Sequence, residues 1–323
     1  MHRRTFNTAL LTLPWIMSSA RAGTHYPDRP IRLIVPYGAG TATDVLARQL
    51  SAGVQAEVGQ PVIVENRPGA SGMIGAELVA RSAPDGQVLL VGTTQTHAID
   101  PALYSKISYD PVADFAPVAG LADQDHVLVV GANFPAKSLA ELVALAKSKP
   151  GGLSFASTGN GTPAHLVGEI FKREAGIDMM HVPYPGGAQA LTDVMAGTVS
   201  LVFYPYQALK PHVDTGKMRA LAVASSTRPA WLPDVPTTAE LGYPNSVIAA
   251  WFGIYAPART DPERVKKIGE VYRGILADPK LREQLAATGT TVRYQSPREL
   301  GAFTASEIER YGKLVQMSGA KVD

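Results

Sequence analysis

Residues 31–48, IRLIVPYGAGTATDVLAR, carry the clearest structural signal in the chain. Ile31–Val35 is an apolar run typical of a buried strand, and an amphipathic helix is predicted to begin at about Thr43. The intervening Gly38-Ala39-Gly40 permits a tight turn whose N–H groups point the same way. Because a helix N-terminus adds unpaired donors and positive dipole potential, this turn is suited to bind a carboxylate or a phosphate.

The same order of strand, small or polar turn and helix recurs three times. The predicted strands are 62–64, 153–156 and 180–183, and their turns are 66–72, 157–163 and 184–188. Ligands of open α/β sheets bind beyond the carboxyl ends of the strands, where such turns gather. Two early and two late turns predict an α/β protein of two lobes that face one cleft, with chain crossings near 125–130 and 222–230.

Other segments are interpreted more briefly. The run VLLVG at 88–92 is a strand followed by the polar turn TTQTH at 93–97. His126 precedes an apolar strand at 127–130 and is interpreted as a structural residue. From Pro262 onward the chain is predicted to be helical.

The first 22 residues have the features of a secretory signal. Arg3 and Arg4 form a basic region, residues 9–17 are apolar, and Ala20-Arg21-Ala22 is a cleavage site. An apolar run of about nine residues is far short of the ~20 needed to span a bilayer. Cleavage after Ala22 and a periplasmic location are therefore predicted, by a general or a twin-arginine route.

The composition of the chain excludes several classes of partner and of chemistry. The 323 residues suit two domains, and the whole chain has a formal net charge of +2. Without residues 1–22 the charge becomes −1, because three arginines leave, so neither nucleic acid nor an anionic membrane is indicated as a partner. The chain has no cysteine, which excludes disulfides and thiol chemistry.

Motifs for catalysis are missing. No G-x-S-x-G elbow or phosphate-binding loop with G-K-[S/T] occurs. His165 and Glu169 share a helix face, but one such pair lacks a third ligand, so no metal and no cofactor are expected.

One enzymatic alternative stays open at this point. Gly38-x-Gly40 after a strand approaches the dinucleotide fingerprint, and Glu65 ends the next strand, where a ribose-binding acid is expected. A dinucleotide-dependent oxidoreductase is therefore the alternative function, although Thr43 replaces the third glycine. A structural or adhesin-like surface protein is a third possibility.

A ligand-binding function without catalysis accounts for more of the polar residues. Small hydroxyl and amide side chains crowd the predicted strand ends, and with backbone N–H groups they could hold a carboxylate without a buried arginine. A carboxylate beside an anion site would repel the ligand, so Asp44 is expected to turn into its own helix start and hold the turn.

These residues resemble a known family, the Bug-type extracytoplasmic solute receptors, which are the substrate-binding components of tripartite tricarboxylate transporters (TctC-like). The resemblance runs from about Tyr26 to the C-terminus. It rests on the blocks YPDRPI (26–31), PYGAGTATD (36–44), VENRPGASG (64–72), APDG (83–86), THAI (96–99), GNGTPAHL (159–166), HVPY (181–184), ALAV (220–223), PDVPT (233–237) and WFG (251–253).

The resemblance implies a two-lobed periplasmic binding protein of type II-like fold that closes on a small carboxylate. The first turn would hold a carboxylate through backbone groups and paired waters. Lobe 1 is expected to comprise residues 23–126 with 225–323, and lobe 2 residues 127–224. The expected ligand-binding residues are Tyr37, Gly38, Ala39, Gly40, Thr41, Thr43, Asp44, Thr94, His97, Ser157, Thr158, Thr162, Gly187, Ala188 and Tyr204.

Two departures from the family pattern concern the ligand. Ala39, Gly40 and Thr41 stand where the family has a proline followed by two glycines, so the water arrangement is expected to differ. Tyr204 follows Phe203 where members often carry an acidic residue, which favours a ligand without an ammonium group. The protein is expected to be a monomer that delivers its ligand to transporter membrane subunits or to a sensor.

Overall fold

The computed structural model describes residues 26–320, so the predicted signal peptide lies outside the described residues. The strands of the described part are β1 (Ile31–Val35), β2 (Val62–Asn66), β3 (Val88–Thr93), β4 (Phe115–Gly131), β5 (Leu153–Ser157), β6 (Met179–Pro183), β7 (Leu201–Pro205), β8 (Met218–Val223), β9 (Ala249–Pro257) and β10 (Thr290–Gln295).

The α-helices are α1 (Ala42–Val58), α2 (Met73–Ala80), α3 (Asp100–Leu103), α4 (Leu139–Ser148), α5 (Pro163–Ala175), α6 (Gly187–Ala196), α7 (Tyr206–Asp214), α8 (Pro262–Leu276), α9 (Pro279–Ala286) and α10 (Pro297–Ser318). A short 3-10 turn at Ala70–Gly72 precedes α2, and a π-helical turn at Gln95–Ile99 precedes α3. Within residues 26–320, no helix combines the length and the apolar character needed to cross a membrane.

The strands form one mixed sheet in the order β2-β1-β3-β9-β4-β7-β5-β6. At one end, β1 is parallel to β2 and β3, and at the other, β5 is parallel to β6 and β7. Between them, β9 runs antiparallel to both β3 and β4. Helices cover the faces of this sheet, which confirms the predicted mixed α/β class.

Strand β4 connects the two ends of the sheet. Its first part, 115–125, pairs with β9, and Gln124 in that part pairs with Thr290 of β10. Its last part, from His126 onward, pairs with β7 and β8. Its neighbours therefore change between Asp125 and His126.

Three apolar clusters form the core. One packs β1, α1 and α8 and includes Leu33, Leu46 and Tyr272. A second lies around β7 and α6 and includes Val202 and Val194. The third joins the two ends of the sheet, because residues of α10 and α5 pack in the same cluster. Both β1 and β5, after which the predicted turns begin, contribute to this third cluster, through Ile34 and Phe155.

Most predicted elements are confirmed within one or two residues, and one prediction is wrong. The chain from Pro262 onward is not wholly helical, because β10 lies between α9 and α10 and pairs with β4. The strand predicted at 127–130 is confirmed, but it is only the end of the 17-residue β4. No element was predicted directly after β7, where helix α7 forms with Pro211 inside it.

Candidate ligand-binding site

A cavity of about 370 Å³ lies at the carboxyl ends of β1, β3, β5 and β7, a size typical of small-molecule sites. Its wall is uncharged, because the only titratable groups are tyrosines and His126, whose pKa burial lowers to about 4. It is lined by Tyr37, Thr41, Ala42, Thr43, Ser71, Thr93, Thr94, Gln95, Gln124, His126, Thr158, Thr162, Pro163, Ala164, Tyr204, Pro205, Ala250 and Phe252.

Helix α1 begins at this cavity. Its first residues Ala42 and Thr43 and the preceding Thr41 lie in the wall. Thr41 is the N-cap, but its hydroxyl donates backwards to the carbonyl oxygen of Gly38 at 2.9 Å and caps no helix N–H. Gly40 has φ +80°, a value that glycine adopts without strain. The first N–H groups of this 17-residue helix therefore have no partner among the described residues.

Helix α5 begins at the same cavity in the same way. Its N-cap Thr162 donates to the carbonyl oxygen of Gly159 at 2.8 Å and does not cap the helix. Gly161 has φ +74°, close to the value at Gly40. Pro163 has no N–H, so the free donors of this 13-residue helix are those of Ala164 and His165.

The two helix starts share the motif Gly-x-Gly-Thr, at 38–41 and 159–162, which we name the first and the second Gly-x-Gly-Thr turn. Four other described α-helices begin after a serine or an aspartate, and there the N-cap side chain does accept from the helix: Ser138, Asp261, Asp278 and Ser296. Among the described α-helices whose N-cap is a serine, a threonine or an aspartate, only the two with threonine caps at the cavity lack this bond, and α2, α3, α6 and α7 begin after residues whose side chains cannot cap. The first N–H groups of α1 and α5 are thus left available to an anion.

Asp44 holds the first turn. Its carboxylate accepts from the Gly40 N–H at 2.9 Å, from Asn66 Nδ2 at 2.9 Å and from Arg48 Nε at 3.0 Å. These bonds, chiefly that from Arg48, lower the pKa of Asp44 to about 2. The side chain is 3% exposed and does not line the cavity, so its charge is directed into the turn, as expected from the sequence.

A pair of histidines holds the second turn. His165 Nδ1 accepts from the Gly161 N–H at 3.0 Å, and its ring stacks on that of His181 with 4.1 Å between centroids. His181 Nε2 lies 2.6 Å from Ser157 Oγ, which also bonds the N–H and the carbonyl of Gly159. Burial lowers the pKa of both histidines to about 4, so both are neutral at neutral pH.

Seven of the residues expected to bind ligand lie in the cavity wall: Tyr37, Thr41, Thr43, Thr94, Thr158, Thr162 and Tyr204. Gly38, Ala39, Gly40, Asp44 and Ser157 are not part of the wall: the first three form the first turn, with Ala39 and Gly40 exposed, and the buried Asp44 and Ser157 hold the two turns. Of the wall hydroxyls, those of Thr43, Thr158 and Tyr204 have no hydrogen-bond partner among the described residues.

Three expected residues lie elsewhere. His97 is fully buried and stacks on Tyr255 with 4.0 Å between ring centroids, so it is a core residue. Gly187 and Ala188 line a separate depression on the other side of Tyr204. A Cβ at residue 187 would collide with the Tyr204 hydroxyl, so Gly187 affects the cavity only through that tyrosine.

Sequence reasoning missed several wall residues. Gln124 and His126 alternate on one face of β4, and Ala250 and Phe252 do so on the neighbouring β9. The sequence alone did not predict that these residues line the cavity, because their location depends on the pairing of strands that are distant in sequence. One available signal was the repeated Gly-x-Gly-Thr motif, which links the two turns directly.

Glu65, the residue on which the dinucleotide alternative depends, is engaged elsewhere. It pairs with Arg32 at 2.6 Å and with Arg67 at 3.0 Å, and Arg32 in particular lowers its pKa to about 2. It does not line the cavity. No cluster of three or more potential metal ligands occurs within residues 26–320.

Known proteins resemble this chain over most of its length. Protein BugT of Bordetella pertussis is 38% identical over 298 residues, which cover 92% of this chain and 91% of BugT. The structure of Rhodopseudomonas palustris Rpa4515 with adipate superposes with a TM-score of 0.84 at 33% identity, covering 92% of this chain and 99% of that one. MatC (Rpa3494) of R. palustris with bound malate gives 0.79 at 32% identity, covering 90% and 100%.

The family comparison agrees with these similarities. The model of the tripartite tricarboxylate transporter family receptor (TctC) matches residues 46–320. Its members are periplasmic solute-binding receptors, a class distinct from enzymes, and the periplasmic binding protein BugD also superposes on this fold, with a TM-score of 0.81. This chain belongs to the receptor family of the tripartite tricarboxylate transporters.

Proposed function

We propose that this protein binds a small organic dicarboxylate in the cavity between the two Gly-x-Gly-Thr turns and delivers it to a membrane transporter or a sensor. The observation that carries the proposal is that two uncapped helix N-termini, those of α1 and α5, open onto one uncharged cavity. Each N-terminus favours one negative group through its free N–H groups and its dipole. The cavity wall offers no carboxylate that would repel the ligand.

Two further observations favour an acid that carries no amino group. An ammonium group in this cavity would meet no formal negative charge, and burying an unpaired charge is costly. The adipate and malate bound to the similar Rpa4515 and MatC are both dicarboxylates without an amino group. The hydroxyls of Thr43, Thr158 and Tyr204 complete the donors around the ligand.

The proposal includes closure of two lobes, 23–126 with 225–323 and 127–224, around the ligand. The change of partners of β4 between Asp125 and His126 supports a crossing there, and the segment between β8 and β9 supplies the second. The protein acts as a monomer without cofactor or catalysis. It reaches the periplasm after cleavage behind Ala22.

A thermal-shift screen of residues 23–323 tests the proposal. A dicarboxylate at 100-fold its Kd adds about 2.7 kcal/mol to the free energy of unfolding, which raises Tm by several degrees. The panel contains mono- and dicarboxylates, amino acids, aromatic acids and NAD. A shift with NAD alone, or with amino acids alone, would contradict the proposed ligand class.

A further inference from the structure

One carboxyl group is buried behind the cavity wall and contacts it through a glutamine. Asp100, the first residue of α3, is fully buried. Its Oδ1 accepts from Gln95 Nε2 at 2.6 Å, and Gln95 lines the cavity. Its Oδ2 is also buried and has no hydrogen-bond partner among the described residues. Within residues 26–320, a residue of the cavity wall therefore makes the only hydrogen bond to this carboxyl group.

No positive charge compensates this carboxyl group within the described part of the chain. In the adjoining π-helical turn, burial lowers the pKa of His97 to about 3, so that ring is neutral. Helix α10 packs on α3, and its inward titratable groups are the ion pair of Glu307 and Arg310, at 3.2 Å, and Tyr311, whose pKa is raised by burial. The charged residues that follow α3 are exposed: Lys106 and Asp110. Because a buried carboxylate without a counter-charge is costly, burial raises the pKa of Asp100 to about 7.

The surroundings of Asp100 reach both Gly-x-Gly-Thr turns. Burial raises the pKa of the Tyr37 and Tyr109 hydroxyls, and the negative charge of Asp100 also raises both. Tyr37 lines the cavity and directly precedes the first turn. Leu103 of α3 packs so closely on Gly161 of the second turn that a Cβ there would collide with it. An anion held at these turns is therefore repelled by the charged form of Asp100.

From this arrangement we propose that Asp100 takes up a proton when an anion enters the cavity, so that the receptor binds its ligand more tightly as the pH falls. The inference rests on the proposed dicarboxylate function and adds a regulation of the same site. The proton comes from solvent and goes to Oδ2, which has no partner, so the hydrogen bond from Gln95 to Oδ1 is kept.

The direction of the effect follows from the two charges. In the empty site Asp100 is partly ionised at neutral pH. A bound anion raises the pKa of this carboxyl group further, because like charges disfavour each other. Binding therefore draws protons from solution, and by linkage a higher proton concentration favours binding.

Titration calorimetry on residues 23–323 measures the proton uptake directly. Succinate, malate and adipate are titrated at about pH 7.5, where both of their carboxyl groups are ionised, in buffers of different ionisation enthalpy. If the ligand raises the pKa of Asp100 by about one unit, about half a proton is taken up per ligand. The affinity then rises by about sevenfold from about pH 8.5 to about pH 6.

Two variants assign the proton to its residue. In Asp100→Asn, the amide oxygen still accepts from Gln95 but the side chain does not titrate, so we expect the uptake and the pH dependence to disappear. Asp125→Asn is the matched control, because burial raises the pKa of Asp125 to about 7 as well. Asp125 lies between Gln124 and His126 on β4 and does not line the cavity, so this variant keeps the wild-type uptake.

The outcomes separate the inference from the function beneath it. If a dicarboxylate binds without proton uptake, or if Asp100→Asn takes up as much as the wild type, the proton linkage is wrong and the dicarboxylate function stands. If Asp125→Asn loses the uptake and Asp100→Asn keeps it, the linked group is not Asp100. If no dicarboxylate binds, the proposed function fails and the inference fails with it.

Discussion

The two Gly-x-Gly-Thr turns have the same backbone design but are held by different chemistry. In both turns, the N-cap threonine hydroxyl donates to the carbonyl oxygen of the first glycine. The N–H of the second glycine donates to a side chain four residues further along the chain. At the first turn this side chain is the ionised Asp44, and at the second it is the neutral His165. Presenting a free helix start therefore does not depend on the charge of the group that supports it.

Because the supporting groups differ, the two turns lose their support at different pH values. The pKa of Asp44 is about 2, below its usual 3.8, so its contribution to stability is present above pH 3.8 and is lost as the pH falls toward 2. The pKa of His165 is about 4, below its usual 6.5, so its contribution is complete above pH 6.5 and is lost as the pH falls toward 4. On acidification the second turn is therefore the first to lose its support.

Removing the support of the first turn has the largest expected effect. Asp44→Ala leaves the Gly40 N–H without its acceptor and removes one of the two acceptors of Asn66 Nδ2, and we expect a loss of about 3 kcal/mol in the free energy of unfolding from urea titrations. The control Asp214→Ala breaks an exposed pair with Lys210 and costs about 0.5 kcal/mol or less. Equal costs in the two variants would show that Asp44 does not hold the turn.

Capping the second turn separates stability from binding. In Thr162→Asp, the new carboxylate can cap α5 and stabilise the protein by about 1 kcal/mol, but it places a negative charge at the anion site. We expect the affinity for a dicarboxylate, measured by calorimetry, to fall by about 100-fold. Ser138→Asp makes the same change at a helix start away from the cavity and leaves affinity unchanged. Retained binding in Thr162→Asp would argue against an anion at α5.

The smallest expected effect concerns the histidine support. Asparagine can keep the acceptor position of His165 Nδ1 but does not titrate in this range. Between pH 6.5 and pH 5 the wild type should lose about 1 kcal/mol more stability than His165→Asn, because only the wild type takes up a proton on unfolding at this residue. Burial raises the pKa of Asp100 and Asp125 to about 7, but both proteins share that opposing effect. Parallel pH profiles would contradict this role of His165.

Local signals in the sequence were sufficient for the turns and insufficient for the middle of the site. β1, the first turn and α1 form from adjacent residues, so an apolar run, two glycines and an amphipathic pattern predicted them. The first part of β4 has no clear alternation, because it contains Pro117, Gly120 and two irregularities in its pairing with β9. Strand β10 is short and lies between helices, so only its pairing with β4 identifies it.

The same limit applies to the cavity wall. Thr41 and Thr162 were predicted because each follows its own strand in sequence. Gln124 and His126 line the cavity only because β4 pairs first with β9 and then with β7, and burial rather than residue type makes His126 neutral. Which side of a strand a cavity occupies is a tertiary property, and a single sequence does not encode it locally.

The long strand β4 also constrains the order of assembly. Its first part is flanked on one edge by β9 and on the other by β10, both supplied by the last quarter of the chain. Pairing between such distant segments is slow, because the entropy cost of closing a large loop comes before the stabilising contacts form. A nascent chain that ends before residue 249 holds 115–125 with both edges open, a template for aggregation. Completion of the sheet therefore requires the last quarter of the chain, so β4 gains its full set of partners only after nearly all of the chain is available.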